Sequence, residues 1–428
     1  MKKLKYLHKY ILLGILAMQA ASCVNDEYGQ DSITPEERVV VNLFFTTAQT
    51  AAGNDPLPDA GNPENQIKSL RVYIFSGSEL VGYQPKTDIP ENTASKTLEM
   101  QLCLSNKSIP NEGYPCTFYI ITNEDAAGGL KSEGSTTADY TLPEPTQDTA
   151  TRTWKLPEGT TEATFKNIKF TRLPEAALVD GSTQSYTNAL LPMTAIHTEN
   201  IKKSTQEITI PLQRSVAKLS LYFAKYGTGE LYIDRGIYLY NVPEEGYLFP
   251  PTSLTQDNIG TIENQETDPG KAEAPDSNHQ RGGKELLPPS YTGSGTTPAH
   301  TNAITAEYPL TGGGTENTGN YQLLPAKPIY MFAHYTGVTN GTGTGTVETD
   351  KGYYVKFLFH KHENNDDEGG NSEYDKHDGE IYRIFLPEVN ANDEVQVFSR
   401  VYMKGYIELQ LHWMVAAWKT GGGDIDFN

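Results

Sequence analysis

An all-β protein is what this sequence predicts, and three observations predict it. Apolar and polar residues alternate along many short segments, the period-2 pattern of strands with one face in a core. No window carries an apolar stripe of period 3.6 over three helical turns. The 428 residues include 38 Gly, 26 Pro and 26 Tyr, a mixture that favours strands and turns over helices. The 10% aromatic share separates the chain from disordered sequences, which lack ring area to bury. Two β-sandwiches are the natural packing for this many half-buried strands.

The chain begins MKKLKYLHKYILLGILAMQAASC. Lys2, Lys3, Lys5 and Lys9 form a positive region, and Tyr10 to Ala21 an apolar one. That run is shorter than the roughly 20 residues a membrane-spanning helix needs, and it fits a signal peptide over residues 1–22. Ala20-Ala21-Ser22-Cys23 resembles the lipobox of bacterial lipoproteins, in which the Cys is acylated and becomes the first mature residue. Cys23 is therefore the expected lipidation site, and residues 23–36 a lipidated tether. Losing the four leader lysines takes the net charge from −20 to −24. Such an acidic chain disfavours nucleic acid as a partner, because phosphate contacts need basic residues.

The strands follow in order. Val39 to Phe45 places Val39, Val41, Leu43 and Phe45 on one face. Leu70–Phe75, Leu98–Leu104 and Phe118–Thr122 come next, each bounded by turn residues. A second series starts at Ile208: Ala217, Leu219, Leu221 and Phe223 alternate with polar partners. Tyr353–Phe359, Ile381–Leu386, Val395–Tyr402 and Tyr406–Trp413 complete it, the last with Ile407, Leu409, Leu411 and Trp413 on one face. The polar run HTENIKKSTQ sets a boundary, giving sandwiches over 37–200 and 201–428. Residues 244–320, rich in Pro, Gly, Thr and Asn, read as a long insertion in the second. Cys103 and Cys116 lie in apolar segments joined by a polar loop. If those segments are neighbouring antiparallel strands, the two thiols are placed to pair as a disulfide in an exported protein.

Several segments invite a chemical reading. His360 to Gly379 carries three His among many acids, yet its spacing does not match a calcium loop, and a solvated hairpin explains it better. Gly341, Gly343 and Gly345 alternate with Thr before a strand, without the sixth-position Gly and helix of a dinucleotide fingerprint. Trp154, between charged residues, is the one Trp placed for stacking on a sugar ring. No G-x-S-x-G, H-E-x-x-H or activated Cys is present. The sequence predicts neither an enzyme, nor a metal site, nor a cofactor.

The segments SLRVYIF, FYIITN, LLPMTA, ITIPLQRSVAKLSLYF, IYRIFLP and YIELQLHW, in that order, resemble the fimbrillins of Bacteroidales. LPMTA followed by a strand and then Arg214-Ser215-Val216-Ala217-Lys218 is the most specific part. The acidic residues behind Cys23 resemble the surface-export signal of Bacteroidetes lipoproteins. The resemblance implies tandem transthyretin-like sandwiches, an outer-membrane lipid anchor, and a role as a structural or adhesive pilus subunit. It implies as partners other fimbrial subunits and ligands on host or bacterial surfaces. It also implies assembly by strand exchange: an arginine-specific protease removes the first strand, and a neighbour's C-terminal strand fills the groove. Val39, Val41, Leu43 and Phe45 would be the removable occupants, and Ile407, Leu409, Leu411 and Trp413, or the tail to Phe427, the candidate donors. The sequence departs from that pattern in one respect. No Lys or Arg occurs between Val39 and Ile67, which leaves either an uncleaved anchor or accessory subunit, slightly favoured, or a host protease of another specificity cutting within TTAQTAAGNDPLPDAGNPENQ. The rival reading is a surface lipoprotein that binds glycans for nutrient capture through Trp154.

Overall fold

The computed structural model describes residues 38–47, 61–90, 93–104, 111–179, 186–204, 206–227, 230–252, 254, 261–263, 283–287, 308–310, 321–335, 352–362, 381–403 and 407–417. The signal segment, Cys23 and the tether lie outside them, as do most of the His360–Gly379 run and the Gly341–Gly345 segment. The principal strands are β1 (Arg38–Thr46), β2 (Ser69–Ser76), β3 (Glu79–Asp88), β4 (Ser95–Cys103), β5 (Tyr114–Thr122), β6 (Met193–Ile201) and β7 (Gln206–Pro211). Then come β8 (Ala217–Tyr226), β9 (Glu230–Tyr240), β10 (Tyr354–His362), β11 (Ile381–Phe385), β12 (Asp393–Met403) and β13 (Ile407–Ala417). A single short α-helix, α1 (Glu162–Lys166), is present among the described residues.

Two sheets enclose the first core. One has the order β7-β1-β4, and the other has β6-β5-β2-β3 with the short segment Gln213–Arg214 beyond β6. Val41, Leu43 and Phe45 of β1 and Leu102 of β4 face Val72, Ile74, Phe118 and Ile120 across a dry interior. Gly82 in β3 leaves the space that the Leu102 side chain uses; a Cβ there would lie 2.7 Å from Leu102 Cδ2. The second core lies between the sheet containing β8-β12-β13 and the sheet containing β9-β10-β11. Ala217, Leu219, Leu221 and Phe223 are all buried in it, as their alternation predicts.

β2 is buried along its whole length, because its sheet is covered on both faces. A third core, unforeseen from sequence, lies on the side away from β1. There Tyr73, Phe75, Tyr119 and Ile121 meet Phe165 of α1, Ile168 and Phe170. Val216, Leu248, Phe249, Tyr330 and Phe332 enter the same core from the second half of the chain. Gly246–Tyr247 adds a strand beside Lys169–Arg172, so the start of the expected insertion docks on the first half. The boundary expected between residues 200 and 201 also needs correcting. β7 lies beyond it, yet pairs with β1 in parallel; the strands of the second core begin at Ala217.

The expected disulfide is not formed. Cys103 ends β4 and Cys116 lies in β5, and these strands belong to opposite sheets instead of being ladder neighbours. Both residues carry thiols.

Candidate functional site

β1 is the centre of the site. Its odd-numbered positions from 39 to 45 are β-branched, branched or aromatic, which suits a pleated, half-buried surface. Val39 is 3% exposed, and Val41, Leu43 and Phe45 are fully buried. Val40, Asn42 and Phe44 face the other way and are half-buried. Burying four such side chains contributes roughly 6–12 kcal/mol at about 1.5–3 kcal/mol each. The strand lies between β7 and β4. Its partnership with β7 is parallel, with Leu43 opposite Ile208 and Phe45 opposite Ile210. At the far end Leu212 N donates to Thr46 O at 2.8 Å, and Thr47 N donates to Ala94 O at 3.3 Å. Without β1, the inner sheet would keep two edge strands and a slot one strand wide.

The next described residues are fixed independently of β1. Asn62 caps the turn Pro63–Asn65, its side chain accepting from Glu64 N. Ile67 N donates to Thr93 O at 2.6 Å. Asn123 is buried, in the left-handed conformation at φ 54°. Its Oδ1 accepts from Lys68 N at 2.8 Å, and its Nδ2 donates to Gln66 O and Leu191 O, each at 2.8 Å.

Arg71, the first arginine after Arg38, is a structural residue. Its Nε and Nη2 donate to the two oxygens of Glu124 at 2.8 and 2.9 Å, and its Nη1 donates to Tyr83 OH at 2.7 Å. Burial alone would lower the guanidinium pKa, but the Glu124 hydrogen bond together with the nearby Tyr73, Glu124 and Tyr83 outweighs it and holds the group above its ordinary range. The peptide bond after Arg71 lies inside a strand paired with β5 (Arg71 opposite Ile121) and, on either side of a register shift at Leu70/Val72, with β3. A protease needs an extended, unpaired segment, and this one has none to offer.

The candidate donor face is only partly placed. β13 is the outermost strand of its sheet and pairs with β12, Leu409 opposite Val401 and Leu411 opposite Ser399. Leu409 packs against the second core, whereas Leu411 is 41% exposed. The side chains of Ile407 and Trp413 are outside the described set. The alternation of this segment marks a strand correctly but does not bury Leu411. Trp154 is not a free platform either. It is half-buried against the third core, and its ring meets Tyr83 edge-on at 5.4 Å. No group of three or more His, Cys, Asp or Glu suited to a metal occurs among the described residues.

The family model of the major fimbrial subunit protein (FimA) matches residues 38–214. Over those residues the chain is similar to the fimbrial subunit family. The match opens on the first residue of β1 and closes on Arg214, so it takes in β7 and the whole first core. The proteins that model describes are fimbrial subunits, a structural role. Comparison with curated protein sequences finds no match. Solved structures similar to the chain include a Parabacteroides distasonis protein named for cell adhesion, at 16% identity and TM-score 0.45, covering 92% of this chain and 99% of that one. The tip fimbrial protein Mfa3 of Porphyromonas gingivalis matches at 12% identity and TM-score 0.41, covering 89% and 100%. The fimbrial anchor protein Mfa2 of the same organism matches at 9% identity and TM-score 0.34, covering 89% and 98%.

Proposed function

We propose that this fimbrial subunit is held to the outer membrane by a lipid on Cys23 and joins other subunits by strand exchange at the β1 site. The observation that carries the reading is β1 itself: one central strand that fills a groove with four apolar side chains. A strand supplied by another chain would gain the same main-chain ladder and the same core positions. β13, an edge strand near the C-terminus, is the donor this reading favours. The role is mechanical and not catalytic.

The pattern of basic residues supports an anchor or accessory position. Arg38 opens β1, so cutting there frees the lipid and leaves the groove filled. Arg71 is buried and bonded, so cutting there requires unfolding β2. A subunit that keeps β1 can donate a strand but cannot accept one, and a chain of subunits ends on it. Trp154 gives the glycan-capture reading no support, since its ring is engaged by Tyr83.

The test is the N-terminal sequence and mass of the protein recovered from the host's outer surface. The reading expects an acylated Cys23 with β1 retained. A start between Thr47 and Ser69 would mean an opened groove and a polymerising subunit, and would overturn the anchor assignment. An unlipidated start near Ser22 or Val24 would overturn the lipoprotein itself.

A further inference from the structure

The segment Arg214-Ser215-Val216-Ala217-Lys218 stands between the two sandwiches, and every member of it is used. Arg214 is 1% exposed. Its Nη2 donates to Asn65 Oδ1 at 2.6 Å, its Nη1 to Asn392 Oδ1 at 3.1 Å, and its Nε to Glu64 O at 3.2 Å. Ser215 Oγ donates to Leu248 O at 2.7 Å, and Ser215 N to Pro192 O at 2.9 Å. Val216 is buried in the third core, and its carbonyl accepts from Asn392 N at 2.9 Å. Ala217 opens β8 in the second core. Lys218 Nζ donates to both oxygens of Glu64, at 3.0 and 3.2 Å.

Glu64 is the hub. It is 1% exposed, and it also accepts from Tyr330 OH at 2.8 Å. That same hydroxyl accepts from Ala189 N at 3.0 Å. Residues 62–66, 214–218, Tyr330 and Asn392, far apart in sequence, thus meet on one carboxylate and one guanidinium, and 189–192 joins them through the Tyr330 hydroxyl and Ser215 N. A buried charge is tolerable only when paired and hydrogen-bonded. Each partner here is therefore held by all the others, and none can leave alone at low cost.

We propose that Arg214 to Lys218, closed on Glu64, is a locking joint that makes the two sandwiches one rigid body rather than two domains on a hinge. Val39–Asn428 accordingly form a single compact unit. The joint lies on the continuation of β7, the strand beside β1, so the chain that walls the groove is also the chain that enters the second sandwich. In a fimbria, pull applied at β1 would cross this joint before reaching β13. That consequence rests on the fimbrial reading; the joint and its test do not.

Amide hydrogen exchange of the whole chain, read by mass spectrometry, decides the matter, together with calorimetry. In the native protein, residues 62–67, 214–220 and 389–394 should exchange at one common slow rate, and heating should give one transition. Glu64→Gln strands the Lys218 ammonium and should speed exchange in all three segments on the order of a hundredfold, splitting the transition in two. Should Glu64→Gln fail to fold, Lys218→Met tests the same pair and should give the same pattern more weakly. The double variant Glu64→Gln/Lys218→Met should recover part of the protection, because it removes the stranded charge. The proposal is overturned if the three segments already exchange at unrelated rates in the native protein. It is also overturned if either single variant loosens 62–67 while leaving 389–394 unchanged.

Discussion

Asn123 shows how much one side chain can hold at the residue scale. It closes the motif FYIITN, and it joins the start of β2 to the approach to β6 through bonds to Lys68, Gln66 and Leu191. Asn accepts the left-handed backbone more readily than most residues, and its amide supplies both donor and acceptor. Asn123→Ala should therefore cost about 2–4 kcal/mol, since several buried backbone groups lose their partner; chemical denaturation measures it. The cysteines give a second residue-scale prediction. Cys116 is 1% exposed and Cys103 half-buried, so alkylation of the native protein should label Cys103 well before Cys116. Mobility in electrophoresis should be the same with and without reductant. The sequence showed two cysteines in neighbouring apolar segments, but not that the chain crosses from one sheet to the other between them.

At the scale of elements, β1 was legible because it is a short run of β-branched and aromatic residues between polar flanks. Leu43→Ala should destabilise the protein by about 2–5 kcal/mol, the range for a fully buried leucine, and thermal unfolding reads it directly. An arginine-specific protease acting on folded protein should spare Arg71; a product starting at Val72 would contradict the burial argument. Other strands were hidden for physical reasons. β9 carries a bulge between Asp234 and Ile237, with Gly236 at φ 80°; it interrupts the alternation with Asp234, Arg235 and Gly236, although Leu231, Ile233, Ile237 and Leu239 on either side all enter the second core. β6 shows alternately buried and open positions, and its His197, Thr198 and Glu199 read as a polar linker. β3 contains Pro85 and ends in charged residues, which suits an edge strand. The donor candidate was read correctly as a strand, but its alternation does not bury Leu411.

The whole molecule adds contacts between halves that no local pattern announces. Glu245, from the second half, receives Lys131 Nζ at 2.7 Å and Lys169 Nζ at 2.6 Å from the first. Burial alone would raise its pKa, but the two lysines outweigh that and hold it below the usual carboxylate range. A depressed carboxylate contributes stability that is full above the ordinary glutamate pKa of about 4.3 and is lost as pH falls through the folded value. The stability difference between the native protein and Glu245→Gln should therefore be constant near neutrality and shrink steadily below about pH 4. Denaturant titrations at a series of pH values give that curve. A difference that grew on acidification would show the opposite sign of shift.

The sequence by itself determined the β class, most of the strand positions, the apolar face of β1 and the fimbrillin likeness. Each of these is written in local alternation, turn residues or short motifs, and local signals survive whatever the chain does elsewhere. Only the tertiary structure decided that β7 sits beside β1, that β2 is buried on both faces, and that Arg71 is shielded. It also decided that Glu64, Arg214 and Lys218 converge. The reason is that sheet order and charge pairing are set by contacts 50 to 150 residues apart (Arg71 with Glu124, Arg214 with Asn65), and no period within a single segment encodes which distant segment will lie against it.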